Sequence, residues 1–314
     1  MKGLKIALIG SLPATEHQTW LDALQRSLPQ ADWQPAERHG ADLEVAVVAS
    51  PPPGALKDLP SLRLIQSLWA GVDRLMADPS LPVQVPLARM VDPAMNAAMT
   101  ETALWATLAL HRGFFRYNER QRQSLWKPHR QRQAQEVPVL VLGLGTLGTR
   151  VSQALSARGY PVTAWRASSA RDTPPGVRCI HGEEALEHAL SQARVVINLL
   201  PLTALTRGLI NAHFLRRLPR GAGLVNLARG AHVVDEDLLQ SLDAGHLSHA
   251  VLDVFSIEPL PPDHPYWQHP RVTVLPHVAA LTDPRTACEV VATNVQRLCR
   301  GEPLLHLVDW QRGY

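Results

Sequence analysis

The chain has 314 residues, 46% hydrophobic and 19% charged, the balance of an ordinary soluble globular protein and long enough for two hydrophobic cores. No run approaches the roughly 18 apolar residues of a membrane span, and a formal net charge of +3 is too small to imply a nucleic-acid partner. The opening Met1-Lys2-Gly3-Leu4-Lys5-Ile6 leads directly into a short apolar strand, without the longer apolar region and cleavage site of an export signal, so a cytoplasmic location is expected.

In chain order, Lys5–Ile9 reads as a strand and Thr19–Ser27 as an amphipathic helix with Trp20, Leu24 and Leu28 on one side. Leu43–Val48, Leu62–Ser67 and Leu87–Met90 follow as short apolar strands, with Pro51-Pro52-Pro53-Gly54 a stiff turn between two of them. The loop Leu68-Trp69-Ala70-Gly71-Val72-Asp73 leaves one of these strands at its carboxyl end. Ligands collect there in open α/β sheets, so the loop is either a plain turn before a helix or a cradle of backbone N–H groups for a carboxylate. Ala94–Arg116 predicts one long helix joining two parts of the chain. Arg112, Arg116, Arg120, Arg122, Arg130 and Arg132 cluster near its end, as on a solvated face or a subunit contact.

Val139-Leu140-Val141-Leu142 then runs into Gly143-Leu144-Gly145-Thr146-Leu147-Gly148, and a helical pattern follows through Arg158. A strand, a G-x-G-x-x-G turn and a helix form the context in which those glycines mean dinucleotide binding. Gly143 allows the sharp turn, Gly145 lets amides approach a pyrophosphate, and Gly148 lets the helix pack close. Strands at Pro161–Trp165, Val195–Leu199, Gly223–Leu227, Ala250–Phe255 and Val272–Leu275 alternate with helices at Glu183–Ser191 and Asp235–Ala244. That alternation predicts a doubly wound parallel sheet. Asp283–Arg300 is a last helix that can close back on the first part.

Where an NAD-binding fold carries an acid at the end of its second strand, this chain has Trp165-Arg166-Ala167-Ser168-Ser169. A guanidinium at Arg166 and a hydroxyl at Ser168 suit a 2′-phosphate, which predicts NADP(H) over NAD(H), with NAD(H) still usable. Three segments at strand ends bring an Arg, a Glu and a His to the same side: Asn226–Gly230 with Arg229, Asp253–Pro259 with Glu258, and Pro276–Ala279 with His277. An Arg can hold a carboxylate and polarise a neighbouring oxo group; a His can donate a proton that a Glu helps it carry. A structural His at a strand end is the competing reading, and with it a dinucleotide sensor that does no chemistry. Cys179, Cys288 and Cys299 lack C-x-x-C spacing and read as reduced thiols, and His264 and His269 have no ligand spacing, so no metal is expected.

The glycine motif, Asn198-Leu199-Leu200-Pro201, Asn226–Gly230, Asp253–Pro259 and Pro276–Ala279 resemble the D-isomer-specific 2-hydroxyacid dehydrogenases. Trp267-Gln268-His269-Pro270-Arg271-Val272 and the terminal Arg312-Gly313-Tyr314 are similar to their glyoxylate/hydroxypyruvate reductase branch. The resemblance implies a Rossmann-type cofactor domain over 101–283 and a smaller flavodoxin-like α/β substrate domain from 1–100 and 284–314. It implies NADPH-dependent reduction of a small 2-oxo acid by a homodimer, with Arg229, Glu258 and His277 catalytic. Ala70, Gly71 and Val72 would join Arg229 on the substrate. Gly143, Gly145, Thr146, Leu147, Gly148, Arg166, Ser168, Leu200, Pro201, Ala228 and Asp253 would face the cofactor, Asp253 near the nicotinamide carboxamide. One departure stands out: relatives carry a Trp after the strand Leu43–Val48 where this chain has Ala49. A smaller residue there implies a pocket with room for a larger acid.

Overall fold

The computed structural model describes residues 3–35, 40–167 and 173–313, and the chain divides into two compact units, Met1–Met95 with Thr282–Tyr314, and Asn96–Leu281. The first unit runs β1 (Lys5–Gly10), α1 (Ala14–Ser27), β2 (Asp32–Gln34), β3 (Val45–Ala49), β4 (Leu64–Ser67), α2 (Asp73–Met76) and β5 (Leu87–Ala88). Its five strands are parallel in the order β2-β1-β3-β4-β5, the flavodoxin-like order whose direction reverses between β1 and β3. Every residue of β3 and β4 is buried, so these strands read as continuous apolar runs rather than alternating ones.

α3 (Pro93–Arg112) leads into the second unit and stops short of the single helix predicted to Arg116. Gly113 takes a left-handed φ of +69°, and a Cβ there would sit 2.4 Å from the His129 ring, so the chain turns and begins again as α4 (Phe114–Arg122). There follow β6 (Val139–Leu142), α5 (Thr146–Ser156), β7 (Val162–Arg166), β8 (Val177–His181), α6 (Glu183–Gln192), β9 (Val195–Asn198), α7 (Ala212–Arg217), β10 (Ala222–Asn226), α8 (Asp235–Asp243), β11 (Leu247–Leu252) and β12 (Val272–Val274).

The seven strands are parallel in the order β12-β11-β10-β9-β6-β7-β8. Counted from β6, this is the doubly wound dinucleotide-binding order with a seventh strand added, and it reverses between β6 and β9. Leu140 and Leu142 of β6 pack into one core with Phe214, Leu238 and Leu242. Val139 and Val141 pack into the opposite core with Ala103, Val151 and Leu155. Strand period two thus buries both faces.

Finally α9 (Pro284–Arg300) starts on Asp283, whose carboxylate accepts the Arg285 N–H at 2.8 Å, and packs against α1 in the first unit. Its buried Asn294 donates to Gln66 Oε1 at 2.7 Å.

Candidate active site

The sequence of the glycine turn is dictated by close approaches. A Cβ on Gly148 would lie 1.9 Å from the Gly143 carbonyl oxygen, and one on Gly143, at φ +98°, would lie 2.7 Å from the Leu199 oxygen. Helix and strand therefore pack as tightly as backbone allows. Gly145 is different: nothing lies within 4 Å of its missing Cβ, and no side chain caps the N-terminus of α5 that follows it. Gly145 and Thr146 are exposed, Leu147 half-buried. The result is an open helix N-terminus whose amides and dipole suit a phosphate. Arg166 ends β7 half-buried, in register with His181 of β8; Ser168 lies outside the described residues.

His277 follows β12 in a left-handed conformation, φ +54°. A non-glycine residue is strained there by about 1 kcal/mol or more, and such strain persists only where the surroundings enforce it. Here Asp253 enforces it. Its carboxylate accepts the Val278 N–H at 2.7 Å and the Ala279 N–H at 3.1 Å, while its carbonyl accepts the His277 N–H at 2.9 Å. Thr102 of α3 donates its hydroxyl to the Ala279 carbonyl at 3.0 Å and holds the far side of the turn. Asp253 is 1% exposed. Burial pushes its carboxyl above the ordinary aspartate value, against the pull of the two N–H groups and of His277.

The His277 side chain presents Nδ1 to Glu258 Oε2 at 2.9 Å, and Glu258 is itself fixed by accepting the Phe255 N–H at 2.9 Å through Oε1. The ring is half exposed and the carboxylate mostly covered, so the pair offers a proton-bearing imidazole to a ligand from a shielded base. Arg229, half-buried, leaves β10 with Nη1 donating to the Ala228 carbonyl at 2.6 Å. The next residue explains how its turn meets Glu258. A Cβ on Gly230 would fall 1.9 Å from the Phe255 carbonyl carbon and 2.2 Å from the Ser256 nitrogen. Only glycine lets the Arg229 turn lie directly on the segment that leads to Glu258.

A buried polar network, absent from the sequence reading, joins these loops. Asn198 at the end of β9 donates to Asn226 Oδ1 at 3.0 Å and to His232 Nδ1 at 2.9 Å, and its own oxygen accepts the Leu200 N–H at 3.2 Å. Asn226 donates to the Arg229 carbonyl at 3.0 Å. His232 Nε2 faces the Pro201 carbonyl at 3.2 Å; a carbonyl can only accept, so the proton sits on Nε2 and Nδ1 is the acceptor. Asn198, Asn226 and His232 are fully buried. Leu200, Pro201, Ala228 and Arg229 are thereby locked to one frame. The sequence signal was two asparagines ending adjacent strands; His232 carried none.

On the first unit, Ala70, Gly71 and Val72 follow β4 and precede α2, with Ala70 and Gly71 half-buried and Val72 buried. Ala49 departs from expectation. It is 0% exposed, its carbonyl accepts the Ser11 N–H at 3.1 Å, and it packs on Gly10, so its methyl group is covered where the end of a strand was expected to stand open. Among the described residues no group of three or more His, Cys, Asp or Glu is placed to hold a metal ion, and no helix is long and apolar enough to cross a membrane.

The same fold recurs among solved structures. A D-isomer specific 2-hydroxyacid dehydrogenase from Xanthobacter autotrophicus Py2, in complex with NADPH and MES, superposes with a TM-score of 0.92 at 38% identity, covering 98% of this chain and 99% of that one. An NADPH-dependent glyoxylate/hydroxypyruvate reductase from Sinorhizobium meliloti, with NADP and sulfate, gives 0.91 at 31% identity, covering 99% of each chain. A probable 2-hydroxyacid dehydrogenase from Rhizobium etli CFN 42, with NADP, HEPES and L(+)-tartaric acid, gives 0.90 at 29%, again covering 99% of each. Residues 104–279, which carry the glycine turn, Arg229, Glu258 and His277, match the family model for the NAD binding domain of these enzymes. With that domain and near-complete relatives in agreement, the chain belongs to the D-isomer specific 2-hydroxyacid dehydrogenases.

Proposed function

We propose that this dehydrogenase reduces small 2-oxo acids (glyoxylate, hydroxypyruvate or a close analogue) to D-2-hydroxy acids, using NADPH in preference to NADH. The observation that carries this reading is the 2.9 Å bond from His277 Nδ1 to Glu258. It leaves Nε2 of a half-exposed imidazole as the nitrogen for a substrate. The ring gives its Nε2 proton to the oxo oxygen as that oxygen becomes a hydroxyl, and the Glu258 carboxylate, bonded at Nδ1, fixes the ring's orientation and balances positive charge on it. Arg229 holds the substrate carboxylate and polarises the oxo group. On the smaller unit, this reading assigns the backbone of Ala70, Gly71 and Val72 to the same carboxylate.

The residues fit a dinucleotide: the space beside Gly145 and the uncapped start of α5 are what a pyrophosphate needs. Gly143, Gly145, Thr146, Leu147 and Gly148 would hold it, Leu200, Pro201 and Ala228 would flank the nicotinamide half, and Arg166 with Ser168 would take the 2′-phosphate. When bound, the reduced nicotinamide supplies the hydride. Asp253 serves first by bonding the Val278 and Ala279 amides, which hold His277 in place. The relatives bound to NADPH and NADP support the cofactor preference, and the reductase from Sinorhizobium meliloti supports the substrate class.

A cytoplasmic homodimer completes the proposal. The support for the dimer is a run of exposed apolar side chains, Trp105, Leu108, Phe114, Leu125 and Trp126, the last 99% exposed, on a single stretch of the larger unit.

The test follows NADPH absorbance with a panel of 2-oxo acids, in the wild type and in His277→Ala. Turnover with glyoxylate or hydroxypyruvate is expected, lost in the variant while NADPH still binds. Flat traces with every acid, or unchanged turnover in the variant, refute the proposal.

A further inference from the structure

The residue that opens the Ala70-Gly71-Val72 loop is held at three places. The Trp69 N–H donates to Ser67 Oγ at 3.0 Å, and the Trp69 carbonyl accepts both that hydroxyl at 3.1 Å and the Met90 N–H at 3.0 Å. Its indole N–H donates to Ser50 Oγ at 3.0 Å. Ser50 is the first residue past β3 and sits in a left-handed conformation, φ +50°. The ring also meets the buried Trp20 of α1 edge to face, with centroids 6.3 Å apart and planes at 85°.

The indole therefore reaches from the carboxyl end of β4 to the carboxyl end of β3. β3 neighbours β1, and it is between these two strands that this sheet reverses its order, the place where doubly wound sheets receive ligands. A half-buried aromatic fixed in this way is an apolar wall with little freedom to move aside. Ala49, the last residue of β3, is by contrast fully covered.

We propose that Trp69 is the specificity-determining residue of this enzyme, a wall beside the carboxylate loop that limits the substituent on the 2-oxo carbon. The inference rests on the reading that the backbone of residues 70–72 binds the substrate carboxylate. Short acids such as glyoxylate and hydroxypyruvate clear the wall; branched acids meet it. Ser50 keeps the indole in place from its N–H end.

The experiment measures kcat/KM for glyoxylate and for 2-oxo-4-methylpentanoate with NADPH in the wild type, Trp69→Ala, Trp69→Phe and Ser50→Ala. Trp69→Ala should raise the ratio of branched to short acid by about tenfold or more, the scale on which a pocket discriminates a few methylenes. Trp69→Phe and Ser50→Ala should move the ratio the same way by less, and they decide the matter if Trp69→Ala does not fold. A ratio unchanged in soluble variants, or both acids lost in parallel, overturns the wall while leaving the reductase reading intact. A wild type that reduces neither acid removes that reading, and the wall with it.

Discussion

Replacing Gly230 by Ala tests whether the meeting of the Arg229 turn with the Glu258 segment sets the rate. Gly230 is buried and its φ is not in the left-handed region, so alanine is conformationally allowed and only space opposes it. The new Cβ would fall 1.9 Å from the Phe255 carbonyl carbon, whereas ordinary contact begins near 3.4 Å. The two backbones must therefore part by about 1.5 Å, the difference between those distances. Overpacking of this kind destabilises by about 1–3 kcal/mol, and a misplacement near 1 Å costs about a hundredfold in rate. Because Phe255 supplies the N–H that anchors Glu258, the shift also loosens the carboxylate that orients His277. Initial rates with glyoxylate and NADPH should show kcat/KM down about a hundredfold. NADPH fluorescence should show much smaller losses in cofactor affinity, since the glycine turn of 143–148 is untouched. A folded Gly230→Ala enzyme with wild-type kcat/KM would refute the argument.

Three further outcomes are expected. Arg166→Asp should shift the kcat/KM preference from NADPH towards NADH, by replacing a phosphate donor with a repelling charge; an unmoved ratio contradicts the role given to the end of β7. Trp126→Glu, at a residue 99% exposed, should leave the chain monomeric in light scattering where the wild type is expected to be the proposed dimer; a monomeric wild type removes the inference. His249 stacks on Phe115 at 3.9 Å and bonds Thr273 at 2.8 Å. Burial, with help from His269 and Arg271, pushes its pKa down to about 4. The unfolded chain takes up that proton first, so this contribution is whole above pH 6.5 and is lost as the pH falls towards 4, about 3 kcal/mol in all. Denaturant titrations of His249→Gln should show a shallower fall of stability across that window; an equal slope would mean that His249 takes up its proton as readily in the folded state as in the unfolded chain.

The alternation of apolar runs with helical patterns made both sheets legible, because parallel strands buried on two faces need no subtle periodicity. β2 and β8 escaped notice for the same reason inverted. Each is the edge of its sheet, half-open to solvent, and Asp32–Gln34 and Val177–His181 carry polar residues where an apolar run would have marked them. The break at Gly113 was hidden by an apolar pattern that continues across it. Arg229, Glu258 and His277 stood out in the sequence because each lies at the end of a predicted strand, and the bond between His277 and Glu258 joins two of those ends. Asn198, Asn226 and His232 were not, since buried polar partners are chosen by geometry that spacing does not encode.

The return of the last helix to the first unit has a consequence for biogenesis. α9 contributes the buried Ala287, Val291 and Val295 and the Asn294 bond to Gln66, while Val308 enters the core beside Leu87. A ribosome releases Lys5–Ala88 early, yet α1 and Gln66 meet their α9 partners only once residues 284–300 have been made. The larger unit, continuous from Asn96 to Leu281, is complete in sequence before α9 is made, so the nascent chain can build the sheet that carries its glycine turn before the smaller unit gains its last helix.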